Sequence, residues 1–366
     1  LNTMKKLLIA VFCSLGAQVY GQTVYEVIDT TKVEIAKRVD FVRNYYNSLT
    51  QEEAKAFWHP KLKDVGTYNA ATGIEGYSRN HVPKRIKEFV KLEIIELEIL
   101  NDSLAYVKID MRYPGEESAI ATMKYYIVED NGTLYLDNAI NYERHRFIFR
   151  ETTDIDFYCS PYKTIDETEL MRGSGAIDSL YGMLITRGER KRIQVYWCSS
   201  IEEMNIVANM AKYYGYQGGF ANSDLGFAAY MYESPVHTHE FVHLLLNGTK
   251  EHNFIMEEGM ASLFGGLNPN QGYGDGKMLV RECLLNGTCS VEDLTRNRRA
   301  LNLNYSVWAT ICEYVIKKLG KDKLFEMYYG KAVNDTNLIE EVCGMLDISE
   351  KQMFADLEAM ILGHDQ

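Results

Sequence analysis

Ser234-Pro235-Val236-His237-Thr238-His239-Glu240-Phe241-Val242-His243-Leu244-Leu245-Leu246-Asn247-Gly248 is the stretch on which the reading of this chain turns. Ser234 before Pro235 signals a helix start, and Asn247-Gly248 signals a stop. On the helix between them His239 and His243 stand four residues apart, so both imidazoles project from one face towards a shared point. Glu240 lies one position round, near that point without being held in it. Phe241, Val242, Leu244, Leu245 and Leu246 can anchor the remaining faces in a core, which keeps water out and stiffens the pair. His237, two residues before His239, is expected on the opposite face and fits no ligand position. In a chain with 8 histidines, chance gives this HExxH pattern only about 0.015 times.

Two histidines so placed suit zinc, which for catalysis needs a third protein ligand and one open position. The metzincin extension fails, because Leu246 stands where a glycine is required and Thr249 where the third histidine would be. Downstream, Glu257-Glu258-Gly259-Met260-Ala261-Ser262 resembles the E-G-x-A-S segment of gluzincin metallopeptidases of the peptidase MA-like clan. The resemblance implies a second helix that supplies Glu258 as the third ligand. Gly259 and Ala261 would let that helix pack closely on the first, and Glu257 would be a solvated neighbour. The interval from His243 to Glu258 is shorter than is usual in that family, and a turn through Asn247-Gly248-Thr249 is expected to close it. His252, within the interval, fits no ligand position.

Two further segments are similar to the same family. Gly218-Gly219-Phe220-Ala221-Asn222 looks like the GAMEN segment of gluzincin aminopeptidases, with Ala221 in place of the glutamate that grips a substrate's free amine. That replacement argues against aminopeptidase action. The following run, Asp224 to Tyr230, would take the edge-strand position, where a peptide could add as a further strand. Asn304-Tyr305-Ser306-Val307-Trp308 resembles the late helix that carries an oxyanion-stabilising tyrosine, which makes Tyr305 the candidate. The resemblance as a whole implies an enzyme: a zinc metallopeptidase in which Zn2+ is held by His239, His243 and Glu258. Glu240 would be the general base, and the partner a peptide or protein substrate. The competing reading is a catalytically inactive protein that binds zinc, a small molecule or a partner. It gives no use to a Glu240 that is not a ligand.

Outward from this centre the chain is expected to be α+β. Residues 153–366 read as a zincin-like domain with a small mixed sheet (strands near Ile155–Cys159 and Arg192–Cys198, helices near Asp166–Thr186 and Ser200–Asn209), mostly helical after Pro235. Residues 22–152 read as helices followed by an antiparallel sheet. Ile35, Val39, Val42, Tyr46 and Leu49 fall at helical spacing, and a short helix over Glu52–Trp58 ends at Pro60. Leu92 and Ile94, then Ile95, Leu97 and Ile99, alternate with a one-residue slip that suggests a bulge. Strands are expected at Leu104–Tyr113, Ala119–Val128 and Thr133–Phe149, with Asn131-Gly132 as a hairpin turn. Element order here resembles the NTF2-like fold. His59, His81 and His145 are scattered, and the basic run Lys84-Arg85-Ile86-Lys87 reads as a solvated helix face.

The 366 residues carry 39 Lys and Arg against 51 Asp and Glu, a formal charge of −12. That surface disfavours nucleic acid, whose phosphates call for a basic partner. Lys5 and Lys6 followed by Leu7–Ala17 form a secretory signal pattern over residues 1–21, with Val19 and Gly21 suited to the cleavage site. Export to a periplasmic or extracellular space is therefore expected, with no stable membrane insertion. Six cysteines remain beyond the signal: Cys159, Cys198, Cys283, Cys289, Cys312 and Cys343. They are compatible with disulfides, Cys283–Cys289 first among the pairings, and equally with buried thiols. Gly272-Tyr273-Gly274-Asp275-Gly276-Lys277 lacks the spacing of a phosphate loop and reads as an ordinary loop.

Overall fold

A computed structural model of the chain describes residues 25–26, 29–48, 51–63, 90–186, 189–212, 218–223, 225–246, 253–296, 301–330 and 333–363. The fold is α+β, in two compact units. The first comprises the chain up to Arg146 together with 200–217, and the second comprises 147–199 with 218–366. The expected signal segment, His81, the basic run at residues 84–87, the turn at Asn247-Gly248-Thr249 and His252 all lie outside the described residues.

In the first unit, helices α1 (Val33–Tyr46), α2 (Gln51–Lys55) and α3 (Pro60–Lys63) precede a sheet. Its strands are β1 (Tyr25–Glu26), β2 (Lys91–Asn101), β3 (Leu104–Arg112), β4 (Ala121–Asp130) and β5 (Thr133–Asn138), in the order β1-β2-β3-β4-β5. β2 to β5 form an antiparallel meander. Strand alternation sends Ala105, Val107, Ile109 and Met111 to one buried face. Cross-strand pairing aligns Val107 with Tyr125 and Ile109 with Met123. The helical spacing of Val39, Val42 and Tyr46 buries all three, and a chain of ring contacts links Tyr45, Trp58 and Tyr125. The register shift between Ile94 and Glu96 is the expected bulge.

The expected strand Thr133–Phe149 is broken. β5 stops at Asn138, where the Asp137 carboxylate accepts from the Asn138 amide at 2.7 Å and from Asn141 Nδ2 at 2.7 Å. The chain then turns through helix α4 (Ile140–Glu143) and a short 3-10 turn, Arg144–Arg146. The next strand, β6 (Ile148–Glu151), pairs with β7 (Ile155–Cys159) in the second sheet. The chain thus enters the second unit at residue 147 instead of 153.

The second sheet has the order β10-β11-β8-β7-β6, with β8 at Ile193–Trp197, β10 at Gly219–Asn222 and β11 at Phe227–Tyr230. β7, β8 and β11 run parallel, and the two outer strands are antiparallel to their neighbours. Helix α5 (Glu167–Met183) makes the crossover from β7 to β8, starting at an Asp166 cap that accepts from Thr168 N at 2.8 Å. Between β8 and β10 the chain leaves for the first unit as helix α6 (Ile201–Val207) and β9 (Met210–Lys212). β9 pairs with β4 at Thr122 and Met123, beyond the reach of β5. Asn209 fixes this excursion: its side chain donates to Asn138 Oδ1 at 2.6 Å and accepts from Ala139 N at 2.7 Å.

After β11 the chain is helical: α7 (Thr238–Leu246), α8 (Phe254–Gly265), α9 (Tyr273–Leu285), α10 (Val291–Arg296), α11 (Leu301–Leu319), α12 (Lys321–Tyr329), α13 (Leu338–Leu346) and α14 (Glu350–Leu362). One core joins Phe157, Val195 and Tyr230 of the sheet to Leu170 and Ile177 of α5, Phe241 and Val242 of α7, Met260 of α8 and Trp308 of α11. The glycine-rich run at 272–277 belongs to α9 rather than to a loop. Asp275 accepts from Gly272 N at 2.8 Å, which starts the helix. Cys283 and Cys289 are disulfide-bonded across the end of α9, while Cys159, Cys198, Cys312 and Cys343 are buried thiols. No helix among the described residues is long and apolar enough to cross a membrane.

Candidate metal centre

The helix carrying the two histidines begins at Thr238, three residues later than Ser234-Pro235 suggests. The Tyr230 hydroxyl donates to Pro235 O at 2.5 Å and takes the carbonyl that an earlier helical turn would have used. The first helical bond is Phe241 N to His237 O, at 3.2 Å. His237 therefore precedes the helix, and its ring is not on the far side from His239. It lies buried 5.9 Å from the His239 ring, 5.2 Å from Tyr230 and 4.7 Å from Tyr232. Burial, reinforced by the neighbouring imidazoles, pushes its pKa down to about 2, so it is a neutral imidazole.

α8 brings Glu258 against the pair. Glu258 Oε2 is 3.3 Å from His239 Nε2 and 3.6 Å from His243 Nε2. Among the described residues, His239, His243 and Glu258 are the group of three whose ligand atoms converge, all within 4.8 Å of one another. The two separations from Glu258 suit a tetrahedral metal ion. Ligands bonded at 2.0–2.2 Å to one tetrahedral ion lie about 3.3–3.6 Å apart along the tetrahedron's edges. The outer ring nitrogens are engaged: His239 Nδ1 lies 2.8 Å from Gly266 O, and His243 Nδ1 lies 3.3 Å from Glu257 Oε1. With a proton on each Nδ1, each Nε2 presents its lone pair to the shared point.

Glu257 is where the structure departs from the expected solvated neighbour. It is buried, at 7% exposure, and faces a ligand imidazole. Nothing in its spacing distinguishes it, since residues adjacent on a helix point about 100° apart.

The helix packing also differs in detail. A Cβ on Gly259 would meet Trp308 O at 2.6 Å and Cys312 Sγ at 2.8 Å, so this glycine admits α11 and not α7. The glycine that admits α7 is Gly265, where a Cβ would meet His239 N and Thr238 O, each at 2.6 Å. Thr238 Oγ1 donates to Gly265 O at the same crossing. The start of α8 is held by Asn253, which accepts from Met256 N at 3.0 Å, and by Asp335, which accepts from Ile255 N at 2.9 Å.

Glu240 is buried beside the triad and belongs to none of its contacts. A Cβ on Gly219 would come within 3.2 Å of Glu240 Oε1, which sets strand β10 against this carboxylate. Burial raises the Glu240 pKa against the opposing pull of His239 and His243. For Glu258 burial acts upward too, but the pull of the adjacent His243 and His239 prevails and brings it down to about 2. Burial opposes charging of His243, and the carboxylates of Glu258 and Glu257 outweigh it and raise its pKa; an ion at the shared point would take the place of the proton on Nε2. The site thus carries one anionic ligand position and one carboxyl shifted towards neutral pH, a division of roles set by environment.

The sheet edge beside the site is β10, and β11 lies inside, between β10 and β8, so the expected assignment of the edge to residues 224–230 moves one strand upstream. Tyr305, on α11, stacks its ring 6.0 Å from that of His239 with planes 20° apart, and touches Trp308 at 5.4 Å. In the first unit, His59 packs on the Tyr135 ring at 5.7 Å and His145 Nδ1 lies 3.0 Å from Tyr142 O. No protein-family model matches this chain, and no curated protein matches it in sequence.

Proposed function

We propose that the chain is an exported zinc-dependent peptidase, and that the second unit is zincin-like and the first NTF2-like. The observation that carries the reading is the triad itself: one carboxylate oxygen at 3.3 Å and 3.6 Å from two Nε2 atoms, all within 4.8 Å of one another, with the buried Glu240 alongside and outside the ligand set. Three protein ligands that leave a fourth position open are the catalytic pattern, whereas structural sites use four. Sheet order supports the fold reading, since an antiparallel edge strand lies beside the histidine helix and further helices come after it in the chain. The Cys283–Cys289 disulfide fits an oxidising compartment and supports export.

His239, His243 and Glu258 would hold the metal. A bound zinc supplies Lewis acidity, which acidifies an attacking water and polarises the scissile carbonyl. Glu240 accepts the proton of the attacking water on its carboxylate and hands it to the leaving amine nitrogen. Its raised pKa brings it nearer the working pH of such a shuttle. Tyr305, from the ring that stacks on His239, donates a hydrogen bond to the developing oxyanion. The edge of β10 accepts the substrate as an added strand, next to Glu240. Ala221 offers no carboxylate for a free amine, which favours cleavage away from a substrate's N-terminus.

The Glu240→Gln variant tests this mechanism. It should keep one equivalent of zinc by metal analysis while hydrolysis of a mixed peptide library falls about 10²–10⁴-fold. Undiminished hydrolysis would overturn the role of Glu240. A native protein that holds zinc and cleaves no peptide would favour the binding-protein reading.

A further inference from the structure

His243 is approached on both edges by a single helix. Glu258 Oε2 lies 3.6 Å from its Nε2 and Glu257 Oε1 lies 3.3 Å from its Nδ1. Consecutive helical residues point about 100° apart. Two adjacent carboxylates on α8 can therefore straddle one imidazole ring, where residues a full turn apart would lie on the same side. The two histidines solve one problem by different means. His239, at the start of α7, reaches a main-chain acceptor, Gly266 O, at 2.8 Å. His243 stands one turn further along α7, away from that crossing, and meets a side-chain acceptor in its place. The side chains of His243 and Glu257 are only 12% and 9% exposed, so water offers either group little alternative.

We propose that Glu257 is a positioning residue. It holds His243 in the Nδ1-protonated form with Nε2 turned to the metal, and its negative charge makes that imidazole a stronger ligand than a neutral partner would. The inference rests on the metal-centre reading and adds a function for the first glutamate of Glu257-Glu258. A neutral imidazole carries one N–H, so an acceptor fixed at Nδ1 decides which nitrogen keeps its lone pair. A carboxylate acceptor in addition raises the basicity of the ring, and loss of such a partner typically costs 10–100-fold in metal affinity. Glutamine would keep the accepting oxygen and the shape but not the charge. The two contributions are therefore separable.

The experiment measures zinc affinity by chelator competition at one fixed pH for the native chain, Glu257→Gln and Glu257→Ala. Nitrogen-15 NMR of the imidazoles in zinc-free samples of the same three proteins, at a pH where His243 is neutral, reports the tautomer. Expected are a 10–100-fold weakening for the alanine variant with loss of the single Nδ1-protonated form, and a smaller weakening for the glutamine variant with that form retained. The tautomer signature separates positioning from a general loss of packing. If the alanine variant does not fold, the glutamine variant carries the test, through weakened affinity with the tautomer intact. Unchanged affinity and tautomer in the variants that fold would overturn the role of Glu257 and leave the metal centre standing. Failure of the native chain to bind zinc would instead overturn the metal centre.

Discussion

Gly219 has no side chain, and the position of Glu240 depends on that. A methyl group there would come 2.8 Å from Tyr230 Cβ, 3.2 Å from Ala229 O and 3.2 Å from Glu240 Oε1. At 2.8 Å from Tyr230 Cβ something must shift, so β10 would be pushed off β11, and at 3.2 Å the Glu240 carboxylate would give by a few tenths of an ångström. Gly219→Ala is accordingly expected to retain zinc, because Glu240 is no ligand. Hydrolysis should fall, by less than the roughly 10²-fold that a misplacement near 1 Å costs. Zinc analysis beside a peptide-cleavage assay checks this, and loss of zinc with activity would point to collapse of the whole site. At this scale the sequence was legible wherever period and chemistry coincide. His239 and His243 share a face, Glu258 meets them and Glu240 stays out of the ligand set. Glu257 and Gly265 were not legible. Their importance comes from which neighbour each happens to face, and a single sequence carries no signal of that. Gly259 was marked for close packing but serves α11, for the same reason.

Among the elements, α9 and α11 are joined by a polar link away from the metal. Tyr273 donates to Glu313 Oε2 at 2.7 Å, and Lys277 and Lys317 approach the same carboxylate at 3.3 Å and 3.2 Å. Burial acts to raise the Glu313 pKa, but the tyrosine and the lysines prevail and hold it below the usual range. A carboxyl with a depressed folded pKa stabilises the protein fully above its unfolded value, near 4.3, and loses that contribution as pH falls through the folded value. Glu313→Gln should therefore cost about 1 kcal/mol at neutral pH. The gap between native and variant should close as the pH drops below about 4.3. Urea unfolding at pH 7 and below pH 4 measures it, and a gap that stays constant with pH would contradict the link. Elements were legible where a period ran unbroken, as in α1 and the β2–β5 meander with its bulge at Ile95. They were missed where tertiary partners override local pattern. Tyr230 claims the Pro235 carbonyl and delays α7, and the Asp137 carboxylate turns the chain out of β5 in mid-run.

For the molecule as a whole, the converging ligands predict coupling between metal and stability. An ion that binds the folded chain and not the unfolded one stabilises it by mass action, by about 2.7 kcal/mol at 100 times its dissociation constant. Calorimetry should show a melting temperature that climbs with free zinc and returns to its starting value on addition of a chelator. A melting temperature indifferent to both would count against a preformed site. Molecular architecture was legible as an α+β class. The excursion of residues 200–217 was not, because the local pattern of α6 and β9 says nothing of which sheet they join.

That excursion bears on how the polypeptide is made. On the ribosome, β6, β7 and β8 emerge before β9, although β9 completes the earlier sheet. At 5–20 residues per second, the Thr122–Met123 edge of β4 spends roughly 4–18 s of synthesis without that partner. An unpaired strand edge is a template for wrong pairing. Until residues 210–212 have been made, that edge stays open to non-native pairing.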